Sequence, residues 1–329
     1  MATYRNRNGK WQARIVRKGQ IPISKTFIRK SDAKRWARNI EAEMDNGFFI
    51  NPKLAEKTIF KELIERYIDE VLPSMRGAYA DIYRLRAISR KSISKLSINL
   101  LSPSKIAEYR DERLKHIKPN TLIRELAYIS SIINHARREW GFNISNPVTL
   151  VRKPKVPAGR SRILSNEEKI LLLATYKQIT PNFFNIWMPS IIEFALATAM
   201  RLGEITTLLW VNVDIDSRVA FLPMTKNGSS RYVPLSTHAI EILKNLPNYK
   251  DLRVFPVNKL SVTASFSRTS RKAQIKNIHF HDLRHTAITN MSGKINNVIE
   301  LSNITGHKYL SMLKRYIHPN LVDLAKKLD

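Results

Sequence analysis

The chain has 329 residues, and its 56 Lys and Arg against 27 Asp and Glu leave a formal charge of +29. A surplus of that size repels itself unless a polyanion offsets it, which points to nucleic acid ahead of an anionic membrane surface. The absence of cysteine excludes disulfides, thiolate zinc sites and a Cys nucleophile.

Among residues 1–38 there are twelve Lys or Arg and one acid, Asp32. The run WQARIVRKGQIPISKTFI alternates and turns at Lys18-Gly19, as a hairpin does. Ser31 is expected to cap a helix that ends at Asn46-Gly47. Residues 1–50 therefore read as a small basic DNA-binding module, with Arg14, Arg17 and Lys18 as contacts.

Residues 57–150 show only helical patterns. TIFKELIERYIDEVL has helical spacing, SPSKIAEYRDERLK opens with a Ser-Pro cap, and PNTLIRELAYISSIINHARREW is long and amphipathic. Tyr67, Tyr79, Tyr83, Tyr109 and Tyr128 fall mostly at core-like spacing and read as packing. A basic linker over 151–162 follows, extended by Pro154 and Pro157, with Arg152, Lys153 and Lys155 placed to lie along a phosphate backbone.

Residues 163–329 mix types. Ser165 and Glu168 predict a capping box, and an apolar helix over IIEFALATAM is too short to span a membrane and runs into Arg201. VNVDI, RVAFLP and SRYVPLS predict a short antiparallel sheet with TKNGSS as its last turn, and helices continue to the C-terminus. The expected fold class is multidomain and mainly α, with small antiparallel β-sheets. With no membrane span and no signal peptide at its start, a cytoplasmic, nucleoid-associated protein is expected.

Four stretches carry chemistry: TAMRLGEITTLLW, MTKNGSSRYVPL, HFHDLRHTAIT and NITGHKYLSMLKRYIH. Each puts a cation or a polar donor where the chain changes direction. His281 and His285, four apart on a helix, can face one metal ion, but there is no H-E-x-x-H pattern, so no metal is expected. Arg201 can also cap the preceding helix through its dipole.

Taken in order, the four stretches resemble the tyrosine recombinases, the family of phage integrases, over the whole of residues 163–329. NPVTLVRKPKV also resembles the shufflon-type invertases of that family. The resemblance implies a catalytic set at Arg201, Lys226, His281, Arg284, His307 and Tyr316, with Glu204 bracing Arg201. Asp282 and His285 stand in support, and His279 has no assigned role.

The physical chemistry suits it. Tyr316 can attack a phosphodiester to form a 3′-phosphotyrosine, and arginine forks onto nonbridging oxygens better than lysine. Lys226 can protonate the departing oxygen. Such a cationic cradle takes the part that metal ions play elsewhere, so no cofactor is expected. The implied partners are double-stranded DNA at core and arm-type sites, three further protomers in a tetramer, and DNA-bending or directionality factors. Integration or excision of a mobile element is the leading use. Inversion, type IB topoisomerase-like relaxation and a non-catalytic DNA-binding regulator are the rivals.

Overall fold

The fold begins at a two-residue turn. Asn8 and Gly9 both have positive φ, 49° and 79°, the conformation an Asn-Gly hairpin needs. This turn pairs β1 (Ala2–Arg7) with β2 (Lys10–Ile15), and β2 pairs in turn with β3 (Ile23–Phe27), all antiparallel. The computed structural model describes residues 2–17, 22–45, 52–75, 77–157, 159–179, 185–223, 230–295 and 297–317. It divides into two compact units, Met1–Ala158 and Gly159–Asp329.

In the first unit, strand alternation sends Ala13 and Ile15 inward against Ala33, Ala37 and Met44 of α1 (Lys30–Asp45). Arg14 points outward from the same strand. Two expectations change. Strand β1 adds to the expected hairpin, and α1 begins at Lys30, so Ser31 lies inside the first turn instead of capping it. Lys18-Gly19 and Asn46-Gly47 lie outside the described residues.

A second apolar cluster of this unit is built by α2 (Pro52–Lys57), α3 (Phe60–Glu70), α4 (Ala78–Ser89), α5 (Pro103–Leu114) and α6 (Pro119–Glu139). Ser102 caps α5 as expected, accepting the Lys105 N–H at 3.3 Å with Pro103 in the first turn. On α6, Leu122, Leu126, Ile129 and Ile133 recur at helical spacing and are buried, so cutting one back to Ala costs about 2–5 kcal/mol. Tyr67 and Tyr109 are buried, but Tyr79 and Tyr83 are 74% and 57% exposed. The reason is rotational: Ala78, Ile82, Leu85 and Ile88 take the inward face of α4, which leaves both tyrosines outside.

The second unit opens with α7 (Asn166–Lys177) and the expected capping box. Ser165 Oγ accepts from the Glu168 N–H at 3.2 Å, and the Glu168 carboxylate accepts from the Ser165 N–H at 3.1 Å. Helix α8 (Met188–Thr198) buries Ile191, Ile192, Phe194 and Ala195, and stops at Ala199, whose φ of 52° turns the chain into α9 (Leu202–Thr206). The meander β4 (Val213–Asp214), β5 (Val219–Leu222) and β6 (Arg231–Pro234) matches the expected sheet. Then come α10 (Thr237–Lys244), α11 (Lys259–Lys272), α12 (Phe280–Ser292) and α13 (Val298–Thr305). Single 3-10 turns follow at Leu310–Met312 and Lys314–Tyr316. Among the described residues no helix is long and apolar enough to cross a membrane.

Candidate active site

The corner between α8 and α9 places the first arginine. Arg201 sits at the N-cap of α9, and the Glu204 carboxylate one turn on accepts its backbone N–H at 2.8 Å and its guanidinium at 2.9 Å. The other guanidinium arm reaches the Gly306 carbonyl at 3.1 Å. Glu204 is buried and also accepts from Arg231 of β6 at 2.8 Å. Burial alone would raise its pKa; Arg231 and Arg201 outweigh that and hold the carboxyl below the usual range.

Arg231 itself is half-buried and donates to the Ile304 carbonyl, while its Nε has no hydrogen-bond partner. Its side chain fills the space against Gly306, where an added Cβ would lie 2.6 Å from that Nε. Gly306 closes α13 with a φ of 68°, and His307 follows it directly.

Helix α12 supplies the second arginine and two histidines. Its N-terminus is fixed by Asp282, which is buried and accepts the His279 N–H at 2.7 Å and the Arg160 guanidinium at 2.9 Å. His279 thus gains a structural place at the N-cap through its backbone. Arg284 is 4% exposed and donates to the Ala199 and Thr305 carbonyls, both at 2.5 Å. Neither acceptor is a carboxylate; Glu204 acts on this charge only through space, against Arg201 and Arg231. Burial and the nearby Arg201 push its pKa down to about 9.

Tyr316 is buried with Ala199, Ala287, Ile288, Leu301 and Leu313 around it. Its hydroxyl is hydrogen-bonded to His285 Nδ1, and the two rings stack with centroids 5.7 Å apart at 27°. Burial raises the phenol pKa against the pull of Arg315 and Arg284, and burial together with His281 lowers that of His285. His307 Nδ1 lies 2.7 Å from Thr305 Oγ1. Burial and the charges of Arg284 and Arg201 push its pKa down to about 4, so the ring is neutral at pH 7.

Of the residues singled out by sequence, Arg201, Glu204, Arg284, His307 and Tyr316 come together in the second unit. His281 is exposed on the second position of α12, its ring 5.0 Å from that of His285. A cavity of about 370 Å³ is lined by Arg201, His281, Arg284, Lys259 and Thr263 among others. Lys226 and His318 lie outside the described residues, as does Lys18. Arg17 is paired with Asp45 at 2.6 Å, and Arg14, Arg152, Lys153 and Lys155 are exposed. Among the described residues no three His, Cys, Asp or Glu side chains are grouped to hold a metal ion.

Sequence reading missed Arg231 and the partner of His285. Alternation on β6 carried the first signal, because Arg231 shares its strand face with the fully buried Val233.

A mainly helical fold that sets buried Arg284 and half-buried Arg201 near a tyrosine hydroxyl forms an anion site next to a nucleophile, and the comparisons give its family. Residues 162–321 match the model of the phage integrase family. A putative integrase/recombinase of Haemophilus influenzae is 34% identical over 98% of this chain and 89% of its own length. The shufflon-specific DNA recombinase of Escherichia coli is 37% identical over 85% of this chain and 73% of its own. A solved lambda integrase tetramer bound to a Holliday junction superposes with a TM-score of 0.66, covering 96% of this chain and 94% of that one at 19% identity, and so shares the fold.

The chain belongs to the phage integrase family of tyrosine recombinases. It is a tyrosine-type site-specific DNA recombinase, near the shufflon type.

Proposed function

We propose that Tyr316 is the nucleophile that joins this chain to the 3′ end of a cut DNA strand. Its oxygen attacks phosphorus while Arg201 and Arg284 fork onto the nonbridging oxygens, with His281 and His307 adding hydrogen bonds and Lys226 protonating the departing 5′ oxygen. Glu204 and Arg231 orient Arg201. The observation that carries this reading is the state of Arg284: a buried guanidinium, tied to two carbonyls and hydrogen-bonded to no carboxylate, close to Tyr316. Arg201, Arg231 and Arg284 share the one Glu204 carboxylate, and a scissile phosphate offsets part of the excess positive charge.

The chain then binds double-stranded DNA and works as an oligomer, a reading supported by the shared fold with the lambda integrase tetramer on its Holliday junction. Residues 1–50 serve as the arm-type module, 57–150 clamp the core site, and the linker cations Arg152, Lys153 and Lys155 follow the backbone between them and the catalytic part. Integration or excision with directionality or bending factors is the leading use; the identity with the shufflon-specific recombinase favours inversion as the second.

Tyr316→Phe tests the core of this. Covalent protein–DNA adducts on a suicide substrate should vanish while the gel shift of the same DNA is unchanged. Adducts that persist at the wild-type level end the assignment.

A further inference from the structure

The buried hydroxyl of Tyr316 must lose a proton to attack, and burial makes that harder in the resting site. The ring nitrogen bonded to it belongs to His285, which the family resemblance places in support and not in the catalytic set. On α12, residues 281, 284, 285 and 288 share one face at i, i+3, i+4 and i+7. That face carries His281, Arg284, His285 and Ile288. Ile288 packs in the same cluster as Tyr316, which seats the phenol over the His285 ring.

We propose that His285 is a further catalytic residue, the general base that takes the phenolic proton of Tyr316 through Nδ1. The inference rests on Tyr316 being the nucleophile. As the Tyr316 Oη–phosphorus bond forms and the phosphorus–O5′ bond breaks, the phenolic proton passes to His285 Nδ1. The leaving 5′ oxygen takes a different proton from the separate acid. Religation runs the same transfers backwards, with His285 returning its proton to the tyrosine.

The surroundings suit a base. Arg315 and Arg284 face the imidazole with positive charge, His281 lies beside it, and Asp282 one turn back opposes them. The net effect, led by burial, keeps the ring neutral at pH 7. In the tautomer that carries its proton on Nε2, Nδ1 offers its lone pair to the tyrosine hydroxyl. Asp282 and the arriving phosphate then favour the imidazolium that proton transfer creates.

The test uses the full chain and a suicide substrate made from its own attachment DNA, with sulfur in place of the 5′ bridging oxygen. Sulfur leaves without needing a proton, so this substrate isolates the nucleophile side. His285→Ala should slow adduct formation by about 10²–10⁴-fold. The loss should persist on the sulfur substrate, the rate should climb about tenfold per pH unit towards the ordinary phenol pKa of about 10, and added imidazole should restore part of it.

His285→Gln keeps a hydrogen-bonding side chain without a titrating group, so it should melt like the wild type and be equally slow. Either variant cleaving at or above the wild-type rate, or an imidazole-insensitive His285→Ala with the wild-type pH profile, overturns the proposal. Adducts formed by Tyr316→Phe would instead overturn the nucleophile assignment itself.

Discussion

Two arginines, half-buried Arg113 in the first unit and buried Arg284 in the second, are treated in opposite ways. Arg113 of α5 is forked onto the Glu125 carboxylate at 2.9 and 2.6 Å, and the Tyr109 hydroxyl donates to the same carboxylate at 2.6 Å. Its charge is cancelled where it stands, and the hydrogen bonds to Glu125 raise its pKa, against the effect of burial. Arg284 is more deeply buried, hydrogen-bonds only to carbonyls, and burial lowers its pKa instead. A neutralised guanidinium is a brace for packing; an unneutralised one is a charge kept ready for an anion.

Replacing each arginine sharpens the contrast. Arg284→Ala should cut adduct formation by about 10²–10³-fold, in the range for losing one preorganised charge contact, while DNA affinity in a gel shift changes little. It should also remove any rise in melting temperature that sulfate gives the wild type beyond its general salt effect. A cleavage-competent Arg284→Ala would break the comparison outright.

Arg113→Ala should do the reverse. It leaves Glu125 buried and unpaired, a loss of about 3 kcal/mol by denaturant unfolding, while the bound protein cleaves at the normal rate. Adding Glu125→Leu to Arg113→Met should recover most of that stability, because both charges are then gone.

The smallest effect is a slope with pH. His307 has a pKa pushed down to about 4 from an ordinary 6.5, so the unfolded chain binds more protons between those values. Stability therefore rises with pH through that window and falls as the solution is acidified across it. Glu204 and Asp282, both held below their ordinary values, add a further loss once the pH drops into the carboxylate range. Melting curves from pH 7 to pH 4 measure the slope, and His307→Gln should flatten its upper part.

Local signals were read well where they are local. The Ser102-Pro103 start of α5, the Ser165–Glu168 box and the three-strand meander each depend on neighbours within a few residues. The residues at Arg201, Arg284, His307 and Tyr316 were legible because four ordered stretches resemble one family, and spacing alone would not have joined them. What stayed hidden depends on contacts distant in sequence. Arg231 looks like an ordinary strand residue until Glu204 and Ile304 are folded onto it. Whether Tyr79 faces in or out depends on how α4 is rotated against its neighbours, and several aromatic positions fit both rotations.

Gly306 carries no functional group, yet Arg231 occupies the volume any side chain there would need. Mutation at that position is disfavoured twice, once by backbone handedness and once by the need to move Arg231. A damaging variant at 306 would therefore act remotely, by displacing the guanidinium that pairs with Glu204. A screen confined to chemically reactive positions would overlook it.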